Sequence, residues 1–279
     1  MKSAVSFGAK CVGFPLLWAI FVLAAIPLGD TAAFLTGSRA WTRLCREAVP
    51  MLATGAVTLL IARFTAAGRE TPGVSGRPRS DSLLMGAGMG LLSACAVLGV
   101  LKAAGALRFV RHQFQAEDLG IWIAALCCGA VTQALLCDGL LFTVLEQRFS
   151  ARAAAPAAAG VYLLLHFPLW QYGPAAILNL IAMGAVLSML RLRSGSALAP
   201  AAACFAWDFL TGFLLSCTPA GDYPFLTEIS LDGPGLLSGG RAGVWGSLVT
   251  LAVLTACALL LAFWGRRDRA GREKMRRPS

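Results

Sequence analysis

The sequence predicts an all-α fold, a polytopic transmembrane bundle of about eight helices. Two compositional facts and one pattern point there. The 279 residues are 57% hydrophobic and only 14% charged, and mean hydropathy is +0.70, more apolar character than a soluble core needs. The charges are also segregated. Long stretches carry none: Cys11 to Gly29, Ser82 to Leu101, Leu119 to Cys137 and Ala242 to Gly265, each near the ~20 apolar residues that cross a bilayer as a helix.

Four further spans complete the bundle. From Ala153 to Leu190 the only ionisable group is His166, and the run is too long for one crossing. Phe167-Pro-Leu-Trp-Gln-Tyr-Gly-Pro174 breaks it, because proline lacks an amide donor and turns the preceding residue away from helix, which predicts a tight hairpin between two spans. A short span is expected from about Ala48 to Ala62 and another from about Ser196 to Cys217. Lipid offers the backbone no hydrogen-bond partner, so these segments are expected as helices.

The chain divides into residues 1–80, two amino-terminal spans and a cytoplasmic loop rich in glycine, proline and charge from Gly68 to Ser80; residues 81–265, a six-span core; and residues 266–279, a basic tail. The segment from Thr218 to Arg241 is too polar and glycine-rich to cross and is expected as a longer outward loop. The amino-terminal apolar run is longer than a signal-peptide core, which argues for a retained span.

Net charge is +10, yet its distribution excludes a nucleic-acid partner. With both termini cytoplasmic, most Lys and Arg fall on inner segments, Arg63 to Arg79, Arg148, Arg152, Arg191, Arg193 and the tail Arg266 to Arg277, as the positive-inside rule requires of a multi-pass inner or plasma membrane protein. The nine cysteines sit mostly inside apolar runs with no CxxC pair, so they read as small hydrophobes and not as a disulfide framework or a zinc knuckle.

Function in such a chain shows in its intramembrane polar groups, because a charge at mid-bilayer costs at least about 2.5–3.5 kcal/mol. These are few: Gln133 and Asp138 in the fourth span, His166 in the fifth, Cys204 and Asp208 in the seventh. Cys204 and Asp208 are four apart and share a helix face, as do Ala134 and Asp138. Three helices can therefore aim Asp138, His166, Cys204 and Asp208 at one water-accessible point. Packing histidines and interface-seeking aspartates give the same pattern without function, so joint placement decides.

At these positions the chain resembles the CPBP family of intramembrane proteases, which includes CAAX prenyl and bacteriocin-processing proteases. The family's Glu-Glu pair, with Arg at the fifth position and then Gly, is matched by Gln133-Ala-Leu-Leu-Cys-Asp-Gly139. Its Phe-x-x-x-His is matched by Tyr162-Leu-Leu-Leu-His166. Its Gly-Ser, Pro and His-x-x-x-Asn are matched by Gly195-Ser196, Pro200 and Cys204-Phe-Ala-Trp-Asp208. A glycine-rich stretch, Leu237 to Ser247, is similar to one that opens the last helix in many members.

The resemblance implies a cavity open to the cytoplasm in which glutamates and histidines activate water, by a metal-dependent or glutamic route. That chemistry needs a carboxylate base, and histidines that bind metal or stabilise the oxyanion. Here the glutamates are Gln133 and Ala134, the arginine is Asp138, the second histidine is Cys204 and the asparagine is Asp208; only His166 is retained.

Three functions follow as expectations. The first is a catalytically silent homologue that binds a hydrophobic peptide, a lipid-modified tail or a membrane-protein partner, with Gln133, Tyr162 and Trp207 as contacts. The second is a rewired endopeptidase with Asp138 as base and His166, Cys204 and Asp208 orienting water or holding zinc; in one variant Cys204 is the nucleophile. The third is a transporter or structural membrane subunit, for which paired broken helices in repeated halves would speak; the sequence has none.

Overall fold

A computed structural model describes residues 37–64, 80–112, 118–219 and 226–276, and before them 13, 16, 19–21, 23–32, 34 and 35. The amino-terminal Lys2 and Lys10, the loop residues Gly68 to Arg79, the outward-loop residues Ala220 to Phe225 and the side chains of the basic tail lie outside this set. The described chain is a helical membrane bundle. Its helices are α1 (Ala19–Ala32), α2 (Arg39–Phe64), α3 (Ser80–Ala103), α4 (Leu119–Ala134), α5 (Leu141–Arg148), α6 (Ala151–Leu165), α7 (Pro174–Ser194), α8 (Leu198–Asp208), α9 (Gly235–Ser238) and α10 (Leu248–Arg276).

Among the described residues, four helical stretches are long and apolar enough to cross a membrane: Ser80–Ala103, Leu119–Glu146, Pro174–Ser194 and Gly240–Trp264. Leucines on the outer faces, among them Leu84, Leu92 and Leu260, are exposed. In a bundle that faces acyl chains such exposure carries no hydrophobic penalty.

Local sequence explains the boundaries. Ser150 caps α6, its hydroxyl accepting from the Ala153 amide at 3.2 Å. The predicted hairpin is a 3-10 turn, Phe167–Tyr172. Pro174 then begins α7, and Gly195, at φ 67, ends it with its amide on the Arg191 carbonyl; this is the proline-first, glycine-last asymmetry of helices.

Two expected spans are interrupted. The fourth passes into a π-helical turn at Leu135–Leu140, with Gly139 off helical geometry (φ −88, ψ −110), before α5 continues. The seventh passes into a second π-helical turn, Phe209–Leu214, directly after Asp208. An extra residue per turn leaves carbonyls without their usual partner, and such turns recur at functional sites.

The closest helix contact is between α3 and α8. A Cβ at Gly86 would collide with the carbonyl of Ala199, and one at Gly90 with that of Ala203. Gly86 and Gly90 are four apart, as are Ala199 and Ala203, so two smooth faces meet in the small-xxx-small manner of membrane helices. This contact fixes the helix that carries Cys204 and Asp208.

The segment expected as a longer loop, Thr218 to Arg241, supplies one strand of a two-stranded ribbon. Leu107–His112 (β1) and Thr227–Leu231 (β2) pair antiparallel with a bulge between Phe109 and Arg111. Beyond them the glycine-rich stretch forms α9 and a 3-10 turn, Gly240–Gly246. A Cβ on Gly243 would strike the Cys217 carbonyl, which accepts from the Val244 amide at 2.8 Å. Asn179 of α7 closes the arrangement, its Nδ2 donating to the carbonyls of Trp245 at 2.6 Å and Ser247 at 3.0 Å.

Candidate functional site

Tyr162, near the end of α6, is the hub. Its side chain is buried, and the carboxyls of Asp138 and Asp208 and the thiols of Cys137 and Cys204 all lie within electrostatic reach of its hydroxyl. Two helical segments supply them: the π-helical turn after α4 brings Cys137 and Asp138, and α8 brings Cys204 and Asp208. Asp138, Cys204 and Asp208 thus share electrostatic reach of one phenol.

His166 joins them through the Tyr162 ring, one turn away on the same helix, with ring centroids 4.2 Å apart. Its Nδ1 lies 2.8 Å from the Tyr162 carbonyl oxygen. A carbonyl only accepts, so the bond requires the tautomer that donates from Nδ1 and leaves Nε2 as a lone pair. Among the described residues no three His, Cys, Asp or Glu side chains gather closely enough to hold a metal ion. The imidazole of His166 is turned along its own helix, towards the Tyr162 carbonyl.

The centre is packed and not open. Asp138 is 2% exposed and Cys204 3%, whereas Gln133, His166 and Asp208 are half-buried. The Oδ1 of Asp138 and the Oε1 of Gln133 are buried with no hydrogen-bond partner among the described residues. A buried unsatisfied acceptor costs about 1–3 kcal/mol. Trp207 is fully buried and packs on Trp245 with centroids 5.7 Å apart; its Nε1 also has no partner among the described residues.

Two charged residues of this region were not singled out from the sequence. Arg191, at the end of α7, is 3% exposed. Its Nε donates to the Asp138 carbonyl at 2.6 Å and its Nη2 to Thr143 Oγ1 at 3.1 Å, and the guanidinium sits over the Phe142 ring at 5.2 Å. Where the family motif has an arginine this chain has Asp138, and an arginine from another helix is bonded to that same residue. In the sequence Arg191 directly follows the apolar run that ends at Leu190, where an arginine is ordinarily an inner-segment charge.

The second is Glu47 of α2, paired with Arg43 at 2.7 Å. Its carboxylate lies 3.0 Å from where a Cβ on Gly129 of α4 would stand, and within electrostatic reach of Asp208. Glu47 stands at the edge of the span predicted from Ala48, where a carboxylate reads as an interface residue.

The helical membrane bundle thus carries a buried phenol with two aspartates and two thiols within electrostatic reach, at the positions of a protease motif. The comparisons agree: residues 115–210 match the family described as type II CAAX prenyl endopeptidase Rce1-like, which places this segment in the CPBP family. The match holds Gln133, Asp138, Tyr162, His166, Cys204 and Asp208, while the glycine-rich Leu237 to Ser247 stretch falls outside it. No curated protein and no solved structure matches the chain.

Proposed function

We propose that this CPBP-like homologue is catalytically silent and binds a hydrophobic peptide, a lipid-modified tail or a membrane-protein partner through the half-buried Gln133, His166 and Asp208. The observation that carries the reading is the pair Gln133 and Ala134: neither side chain can take a proton from water, and Ala134 is buried at 3% exposure. Loss of a general base removes about 100 to 10,000-fold of a hydrolytic rate. The burial of Asp138, at 2% exposure, supports the same reading.

The proposal includes the setting: an inner or plasma membrane, several crossings and both termini cytoplasmic, from the basic residues on the inner segments. Cells that depend on the protein provide the test. Asp138→Asn and Cys204→Ala leave the cellular phenotype intact under this reading, whereas Gln133→Trp, which crowds the contact residues, abolishes it. Loss of the phenotype with Asp138→Asn in a stably folded protein refutes it.

A second reading rests on the unpartnered Oδ1 of Asp138. A carboxylate oxygen with an open lone pair beside Tyr162 and Cys204 is a possible base for a rewired endopeptidase. Under it, Asp138→Asn alone removes cleavage of the physiological substrate.

A further inference from the structure

The first turns of α2 bear Arg39, Thr42, Arg43 and Arg46, spaced i, i+3, i+4, i+7 and so on one helix face. These four residues line a cavity of about 200 Å³. Since a water molecule takes ~30 Å³, the space admits a group much larger than one water. Three guanidiniums and a hydroxyl make a donor-rich wall suited to a phosphate oxyanion, which arginine holds in a fixed fork.

Two carboxylates share this wall. Glu47 accepts from Arg43 at 2.7 Å and Asp30 from Arg46 at 2.8 Å. The Arg46–Asp30 pair is half exposed on both sides, and exposed pairs contribute little. A guanidinium has five donors, so the ion pair of Arg46 with Asp30 leaves others on that side chain. Arg39 has no ion-pair partner among the described residues, so the wall stays net positive.

Depth is set by the neighbours. Trp41 is 45% exposed beside the arginines, and Phe34 and Leu35, just before the helix, are 87% and 78% exposed. Tryptophan collects at the headgroup level of a bilayer. Further along the same helix Leu52 and Leu59 are exposed, as a segment facing acyl chains would be. The arginine wall therefore stands where hydrocarbon gives way to headgroups.

We propose that this groove binds the phosphate of an anionic phospholipid, with Arg39 and Arg46 as the principal contacts. The site is separate from the Tyr162 centre and does not depend on whether that centre is silent.

Native mass spectrometry of the full chain, released from micelles holding equal phosphatidylglycerol and phosphatidylcholine, tests it. The expected result is retained phosphatidylglycerol over phosphatidylcholine, weakened about fivefold by Arg39→Gln and at least tenfold by Arg39→Gln with Arg46→Gln. Arg152→Gln, an exposed arginine on α6, leaves the preference unchanged. Arg39→Gln breaks no ion pair in the structure, so it stays informative even if the double variant folds poorly. Absence of a phosphatidylglycerol preference, or its survival in Arg39→Gln, overturns the proposal. Protection of the protein by inorganic phosphate with no preference between the lipids overturns the lipid source and leaves a free-phosphate site.

Discussion

Replacing Arg191 by methionine is expected to destabilise the bundle by about 3 kcal/mol. The guanidinium makes two charge-assisted hydrogen bonds, to the Asp138 carbonyl and to Thr143 Oγ1, each contributing about 1.5–3 kcal/mol. Its contact with the Phe142 ring adds about 0.5–2 kcal/mol. Against this stand the desolvation of a buried cation, which methionine avoids, and the apolar packing that methionine keeps. The net loss is about a hundredfold in the folding equilibrium. Arg191→Lys recovers little, since an ammonium cannot span both acceptors as a fork does. The assay is unfolding in mixed micelles with rising SDS, followed by tryptophan fluorescence, with exposed Arg152→Met as control. If Arg191→Met unfolds within about 0.5 kcal/mol of the parent, a spread normal for innocuous surface changes, the latch between α7 and the π-helical turn is not a stabilising element.

Other outcomes follow from the packing. Gly90→Ala is expected to cost about 1–3 kcal/mol by overpacking α3 against α8, and Gly90→Leu to prevent assembly; Gly88→Ala, whose added Cβ meets nothing within 4 Å, is tolerated, as thermal scanning would read. Asn179→Leu leaves the Trp245 and Ser247 carbonyls without this donor and is expected to cost about 2–4 kcal/mol, with faster proteolysis between Gly233 and Gly246. Cys137 and Cys204, both buried, should resist a membrane-permeant maleimide until the protein is unfolded.

The membrane bundle was legible because hydrocarbon imposes a length and a composition on every crossing, and the Pro168 and Pro174 break was legible because proline acts locally. Asp138, Cys204 and Asp208 were legible as a group because polar residues are scarce inside apolar runs. The β1–β2 ribbon was not: Leu107 to His112 has no clean alternation, and its partner lies more than a hundred residues away, so only the tertiary register makes it a strand. The π-helical turns were hidden for a similar reason, since one inserted residue leaves the apolar pattern nearly unchanged. Arg191 and Glu47 escaped notice because charges near span ends are ordinarily solvated, and burial depends on which neighbour covers them. Tyr162 emerged as the hub because the sequence shows the residues on each helix but not which side chain stands between helices.

Proteoliposomes offered farnesylated CaaX peptides and unmodified transmembrane peptides, with products followed by mass spectrometry, test the silent reading most directly. The account predicts peptide retained in the vesicles at full length, with and without added zinc. Hydrolysis by the parent protein that disappears in Asp138→Asn contradicts it and makes the buried carboxylate a working base.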